Sequence, residues 1–164
     1  MNRFAVELKN ILAEELNIYK KLLVLAKDKT KLLVDRKLTE LQATVEQEES
    51  LVQQLIDLEP LRQEQVMAIV GEPTIKLELL VEKISDDNIK SELIDIGSKL
   101  REVVEEIKVI NEGNQRLAQM GLEVAKQTMK IMTKAPKPVT YGPPSGANNR
   151  NSSLRGRSLF DHKA

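Results

Sequence analysis

The chain has 164 residues, 30% of them charged and only 2% aromatic, with no Trp, no Cys and a formal net charge of zero. The absence of cysteine excludes disulfides, thiolate metal ligands and a cysteine nucleophile, and it suits a reducing compartment. Leu, Ile and Val carry nearly all the apolar mass, while Glu, Lys and Gln supply most of the rest. That vocabulary belongs to long amphipathic helices and coiled coils.

The charge is unevenly divided. Residues 135–164 hold five Lys/Arg against one Asp, a balance of +4, which leaves −4 on residues 1–134. Glu7 and Lys9 interrupt the opening MNRFAVELKN, so no secretory apolar core is expected. The longest apolar runs, such as LLVLA at 22–26, fall far short of the roughly 20 residues that span a bilayer. A soluble, cytoplasmic protein with no membrane insertion is the expectation.

The first helix is expected over 2–34. Phe4, Leu8, Ile11, Ile18, Leu22, Leu25 and Leu32 fall on alternating steps of four and three, with only Glu15 and Lys29 intruding. A 3.5-residue repeat lays these side chains in one seam. Leu12, Leu16, Tyr19, Leu23, Ala26 and Leu33 widen the stripe, so the helix should meet more than one neighbour. Asp35-Arg36-Lys37 reads as the turn.

A second helix is expected over 37–70, on the series Leu38, Leu41, Val45, Val52, Leu55, Val66 and Ile69, with Glu48, Glu59 and Arg62 intruding. Pro60 lacks the amide hydrogen a helix interior uses, which predicts a kink or a short break. Gly71-Glu72-Pro73 is a stop signal. Thr74 can cap a short helix over 74–85. Ser85-Asp86-Asp87 then starts a long helix over 87–133, since a side-chain oxygen there can accept from free first-turn amides.

This last helix carries the clearest pattern in the chain. Ile89, Leu93, Ile96, Leu100, Val103, Ile107, Ile110, Leu117, Val124 and Ile131 lie on one four-three series, broken only at Asn114, Gly121 and Thr128. At 1.5 Å per residue it would be roughly 70 Å long. The fold class that follows is all-α: an elongated antiparallel bundle of three long helices plus one short helix. Residues 1–134 form the bundle domain, and 135–164 form a Pro/Gly/Ser/Asn-rich tail expected to be flexible.

Beyond Ile110 the helix changes character. Gly113 and Gly121 each cost about 1 kcal/mol relative to Ala in a helix interior. A second apolar stripe appears at Ala118, Leu122, Ala125, Met129 and Met132, and Met120 joins it. Two readings stand side by side. The residues complete the bundle core, or they form an adaptable face for a partner, a use to which unbranched, polarizable Met is suited.

No arrangement for catalysis is legible. The single His162 lies three residues from the end, and GPPSG lacks the strand and helix that frame a phosphate loop. Carboxylates such as Glu14-Glu15 and Glu46-Gln47-Glu48-Glu49 sit among lysines on helix faces, where solvation and ion pairing account for them. The charges at seam positions, Glu15, Lys29, Glu48 and Arg62, are expected to fix register or meet water. The chain is read as no enzyme, with no cofactor and no metal. Arg150, Arg155 and Arg157 with Phe160 nearby are too few for more than weak, salt-sensitive attraction to nucleic acid, so no nucleic-acid partner is expected.

Several features together resemble the FlgN-type flagellar export chaperones, cytoplasmic helical proteins of about this length. The matching residues are FAVELKNILAEELNIYKKLLVLAKDKTKLL in the first helix, Thr74-Ile75-Lys76-Leu77, and the paired asparagines of Asn111-Glu112-Gly113-Asn114-Gln115-Arg116-Leu117. Thr140-Tyr141-Gly142 and Ser158-Leu159-Phe160-Asp161-His162-Lys163-Ala164 complete the match. The resemblance implies a chaperone that binds hook–filament junction proteins (FlgK and FlgL types), prevents their premature assembly and delivers them to the export gate of the flagellar type III apparatus. It implies cargo binding through the C-terminal part of the chaperone, here Leu117, Met120, Leu122, Val124, Met129, Ile131 and Met132. It also implies export-gate docking through Tyr141. Phe160, Asp161 and Lys163 stand as a candidate tail motif. Self-association of the cargo-free chain is left open by the uncovered stripe. The rival class is a structural coiled coil or adaptor with an inert tail.

Overall fold

The computed structural model describes the backbone of residues 2–134 and the side chains of residues 2–131. Four helices follow in chain order: α1, Asn2–Val34; α2, Leu38–Val70; α3, Leu77–Glu82; and α4, Asp87–Lys134. The chain divides into two compact units, Met1–Gln119 and Met120–Ala164. The expected flexible tail lies outside the described residues, along with Tyr141, Phe160, Asp161 and Lys163.

The first unit is a helical bundle, and its turns follow from local chemistry. At the end of α1 the Lys37 amide donates to the Leu32 carbonyl at 3.0 Å, and Arg36 adopts φ 56°. This is a Schellman closure, with Arg36 in the left-handed position that glycine usually takes. At the end of α2 that position is Gly71, φ 82°, whose amide donates to the Met67 carbonyl at 2.8 Å. Asp86 caps α4: its Oδ1 accepts from the Asn88 and Ile89 amides at 2.9 and 3.2 Å. Both are first-turn donors with no partner inside the helix.

Of the kink or short break expected at Pro60, the short break is absent: α2 runs as one helix through that residue. The carbonyl that loses its donor is that of Ile56, and Ile56 and Pro60 are both exposed, so water can replace the missing bond. α3 begins at Leu77, with Lys76 in an extended conformation as its N-cap and no side-chain cap hydrogen bond, so Thr74 does not cap it.

The helices pack in an up-down-up order. α1 and α2 run antiparallel, as ion pairs between Glu15 and Arg62 (3.8 Å) and between Lys29 and Glu48 (3.0 Å) require. α4 runs parallel to α1, because Lys9 meets Glu92 at 2.6 Å and Lys27 meets Glu106 at 3.4 Å. The four seam charges of the sequence therefore pair with each other across α1 and α2, and both pairs obey one antiparallel register.

The core sits where the start of α1, the end of α2, α3 and the start of α4 converge. Ala5, Leu8, Leu12, Val66, Ile69, Leu80, Val81, Ile84, Ile89 and Leu93 form it, and Leu93 is completely buried. At Gly97 the backbone of α4 lies so close to Leu77 that a Cβ would collide with the leucine methyl. A larger residue at 97 would require the Leu77 side chain to shift. Arg101 bonds Glu78 as a second tie between α3 and α4.

Candidate functional site

The boundary of the packed part of α4 is a polar one. Asn114 is buried, and its side-chain amide donates to the Ala26 carbonyl at 3.0 Å. The Thr30 hydroxyl donates to Asn114 Oδ1 at 2.6 Å. Both polar ends of a buried side chain are thus satisfied by α1, which makes this contact strongly dependent on register. Thr30, which holds Asn114, lies four residues before Val34, the last residue of α1. Within the first unit, α1 has about one turn left beyond its contact with Asn114.

The second unit begins at Met120. Its described residues 120–134 are the last turns of α4, and their side chains are known through Ile131. Met120 is 65% exposed, Leu122 49%, Val124 50%, Met129 66% and Ile131 72%. Five of the seven residues expected to bind cargo are therefore open apolar surface. Leu117 is half-buried and belongs to the first unit. The side chain of Met132 lies outside the described residues. Among the described residues these five side chains form no closed core.

Geometry makes the surface unusual. At 100° per residue, Met120, Val124 and Ile131 lie on one side of the helix, while Ala118, Leu122, Ala125 and Met129 lie well around the cylinder. Together they span an arc of about 200°. A surface helix with one neighbour needs an apolar stripe of roughly half that width. The opposite side carries Gln119, Glu123, Lys126, Gln127 and Lys130. Such a helix is suited to being held in a groove or between two helices. Ala118 and Ala125 complete the arc, and they count among its residues although bulk alone would not single them out. A Cβ built on Gly113 or Gly121 meets nothing within 4 Å. Among the described residues no neighbour requires glycine at either position.

The remaining charged cluster lies between α1 and α2. Arg62 donates to both carboxylate oxygens of Glu59 at 2.7–3.1 Å and approaches Glu15 only to 3.8 Å. Burial pushes the Glu15 carboxyl above its ordinary range; Arg62 opposes that rise, and Glu59 adds to it. The hydrogen bonds from Arg62 hold Glu59 below its ordinary range. Burial, reinforced by Glu15 and Glu59, raises the Tyr19 hydroxyl. These shifts account for a shared guanidinium among helix-borne groups. Among the described residues no group of three or more His, Asp or Glu could hold a metal ion. No helix among them is long and apolar enough to cross a membrane.

The comparisons with known proteins bear on the whole arrangement. Residues 1–149 match the family model described as FlgN protein. The matched range includes the Asn111–Leu117 segment, the exposed arc and Tyr141, and it ends before Ser158–Ala164. No curated protein and no solved structure matches the chain. With the family model covering nearly the full length of this all-helical chain, the protein belongs to the FlgN family of flagellar export chaperones.

Proposed function

We propose that the chain captures hook–filament junction proteins, of the FlgK and FlgL types, on the apolar arc of α4. It prevents their premature assembly and delivers them to the export gate of the flagellar type III apparatus in the cytoplasm. The observation that carries this reading is the exposure of Met120, Leu122, Val124, Met129 and Ile131 on an arc too wide for one neighbour. Terminal helical segments of a junction protein would supply the missing faces, helix against helix, and hide their own apolar stripes in doing so. Glycine at 113 and 121 weakens this part of α4 by about 1 kcal/mol each relative to Ala. Part of the binding energy then goes into stiffening the helix, which keeps affinity moderate and release feasible without nucleotide hydrolysis. Tyr141 docks on the export gate.

The test uses purified junction protein and the full chain. Replacing Met129 and Met132 together by Asp should abolish cargo capture while the helical content stays unchanged. Tyr141→Ala should leave capture intact and lower export. Amides of residues 113–134 should gain hydrogen-exchange protection with cargo. Equal protection with and without cargo, or capture that survives the double Asp variant, would sink the reading. Dimerisation of the free chain that the double Asp variant abolishes, with cargo capture retained, would assign the arc to self-association instead.

A further inference from the structure

Within the first unit, α1 and α2 leave an open groove of about 470 Å³. Leu12 forms its floor, and Tyr19, Val52, Leu55 and Ile56 form apolar walls. It adjoins the seat of α3: Leu12 and Arg62 line both this groove and a smaller cavity of about 180 Å³, which Leu77 and Leu80 of α3 and Gly97 of α4 also line. At that cavity the two long helices are covered by a helix. α3 is only 6 residues long, and the walls continue from Arg62 to Val52. Ten residues of α2 correspond to about 15 Å, or roughly three further turns of a helical neighbour.

The charge of the groove narrows what can fill it. Two carboxylates, Glu15 and Glu59, share one guanidinium, Arg62. Arg62 directs its hydrogen bonds to Glu59. Glu15 is only 9% exposed, lines the groove and, among the described residues, accepts no hydrogen bond. A carboxylate so nearly buried is strongly favoured by a donor cation and disfavours both a second anion and a purely apolar cover. Ile56, by contrast, is 57% exposed and offers open apolar area among the described residues.

We propose that this groove seats one amphipathic helix of a partner protein, placed beside α3, with an apolar stripe over Val52, Leu55 and Ile56 and a single Lys or Arg on Glu15. The surface is separate from the arc of α4 and does not depend on the function assigned to it.

The experiment titrates the full chain with three synthetic peptides of about 18 residues, long enough to be helical. The peptides share a leucine stripe at helical spacing and differ at one central position, which is Arg, Leu or Glu. Fluorescence anisotropy should show the Arg peptide binding about tenfold more tightly than the Glu peptide, the difference expected of one close charge pair. That preference should vanish in Glu15→Gln. Ile56→Glu, at an exposed position, should abolish binding of all three peptides while the circular dichroism stays unchanged. The titrations are run in the Met129→Asp/Met132→Asp background, so that the arc of α4 takes up no peptide. Failure of the Arg peptide to bind, equal affinity for all three, or binding retained in Ile56→Glu overturns the proposal. So does dimerisation of the free chain that Ile56→Glu removes, which would make the groove a contact between copies.

Discussion

The first and last parts of α4 share one four-three repeat, yet their apolar residues meet opposite fates. Leu93 is completely buried, whereas Ile131, on the same series, is 72% exposed. The difference lies in the neighbours, since α1, the end of α2 and α3 all converge on the start of α4. α1 ends about one turn beyond its contact with Asn114. A periodic stripe states that a helix is able to bury a face, and it says nothing of whether the chain contains the residues to cover it.

The strongest way to break this comparison is to truncate both ends of it. Leu93→Ala should lower unfolding stability by about 3 kcal/mol, because it removes fully buried methyls and leaves a cavity. Ile131→Ala should change it by less than about 0.5 kcal/mol. Urea denaturation of the two variants reads the contrast directly, and equal losses would mean that residue 131 is covered in solution.

A smaller effect is expected at the polar boundary. Asn114→Ala removes the acceptor of the Thr30 hydroxyl and the donor to the Ala26 carbonyl. The loss should be about 1–2 kcal/mol, the range for a buried hydrogen-bonding side chain. If Asn114 fixes the register of α1 on α4, Asn114→Leu should recover stability but broaden the amide spectrum of residues 103–119. A sharp, unshifted spectrum would remove the register role.

The subtlest effect concerns pH. The folded-state pKa of Glu15 is raised by burial, so the folded chain binds this proton more tightly than the unfolded chain does. Its contribution is therefore fully present below the ordinary carboxylate value of 4.5 and is lost as pH rises through the folded value. Glu59 acts in the opposite sense: its lowered value gives stability above 4.5 that disappears as pH falls through the folded value. Glu15→Gln should accordingly abolish the loss above pH 4.5 and leave the acid-side loss from Glu59 in place. Thermal melts over this range check the sign, and a variant whose stability still falls above 4.5 would assign the effect to another group.

Much of the fold was legible because it is written in local rules. The four-three series predicted three long helices, Asp86 capped α4 where an acidic start signal stood, and Gly71 closed α2 in the left-handed geometry a stop signal implies. The short helix was harder to place. α3 starts at Leu77, with Lys76 rather than Thr74 at its N-cap. At Pro60 the helix continues, because the consequence of a missing amide depends on whether water reaches the orphaned carbonyl of Ile56. The change of character beyond Ile110 was visible as glycine, methionine and a doubled stripe. Whether those residues are covered is not written in the repeat, which reports only that a face can be buried.

By itself the sequence determined helix identity, the caps and turns, and the apolar faces, because each depends on residues within a turn or two of one another. Only the tertiary structure decided which faces are covered, since coverage depends on the lengths and registers of distant helices. It paired Glu15 with Arg62 and Lys29 with Glu48 across the hairpin of α1 and α2. It turned Asn114, an apparent flaw in the seam, into a satisfied polar contact with α1. And it left Met120 to Ile131 exposed, because burial requires a second surface and the described residues of their unit supply none.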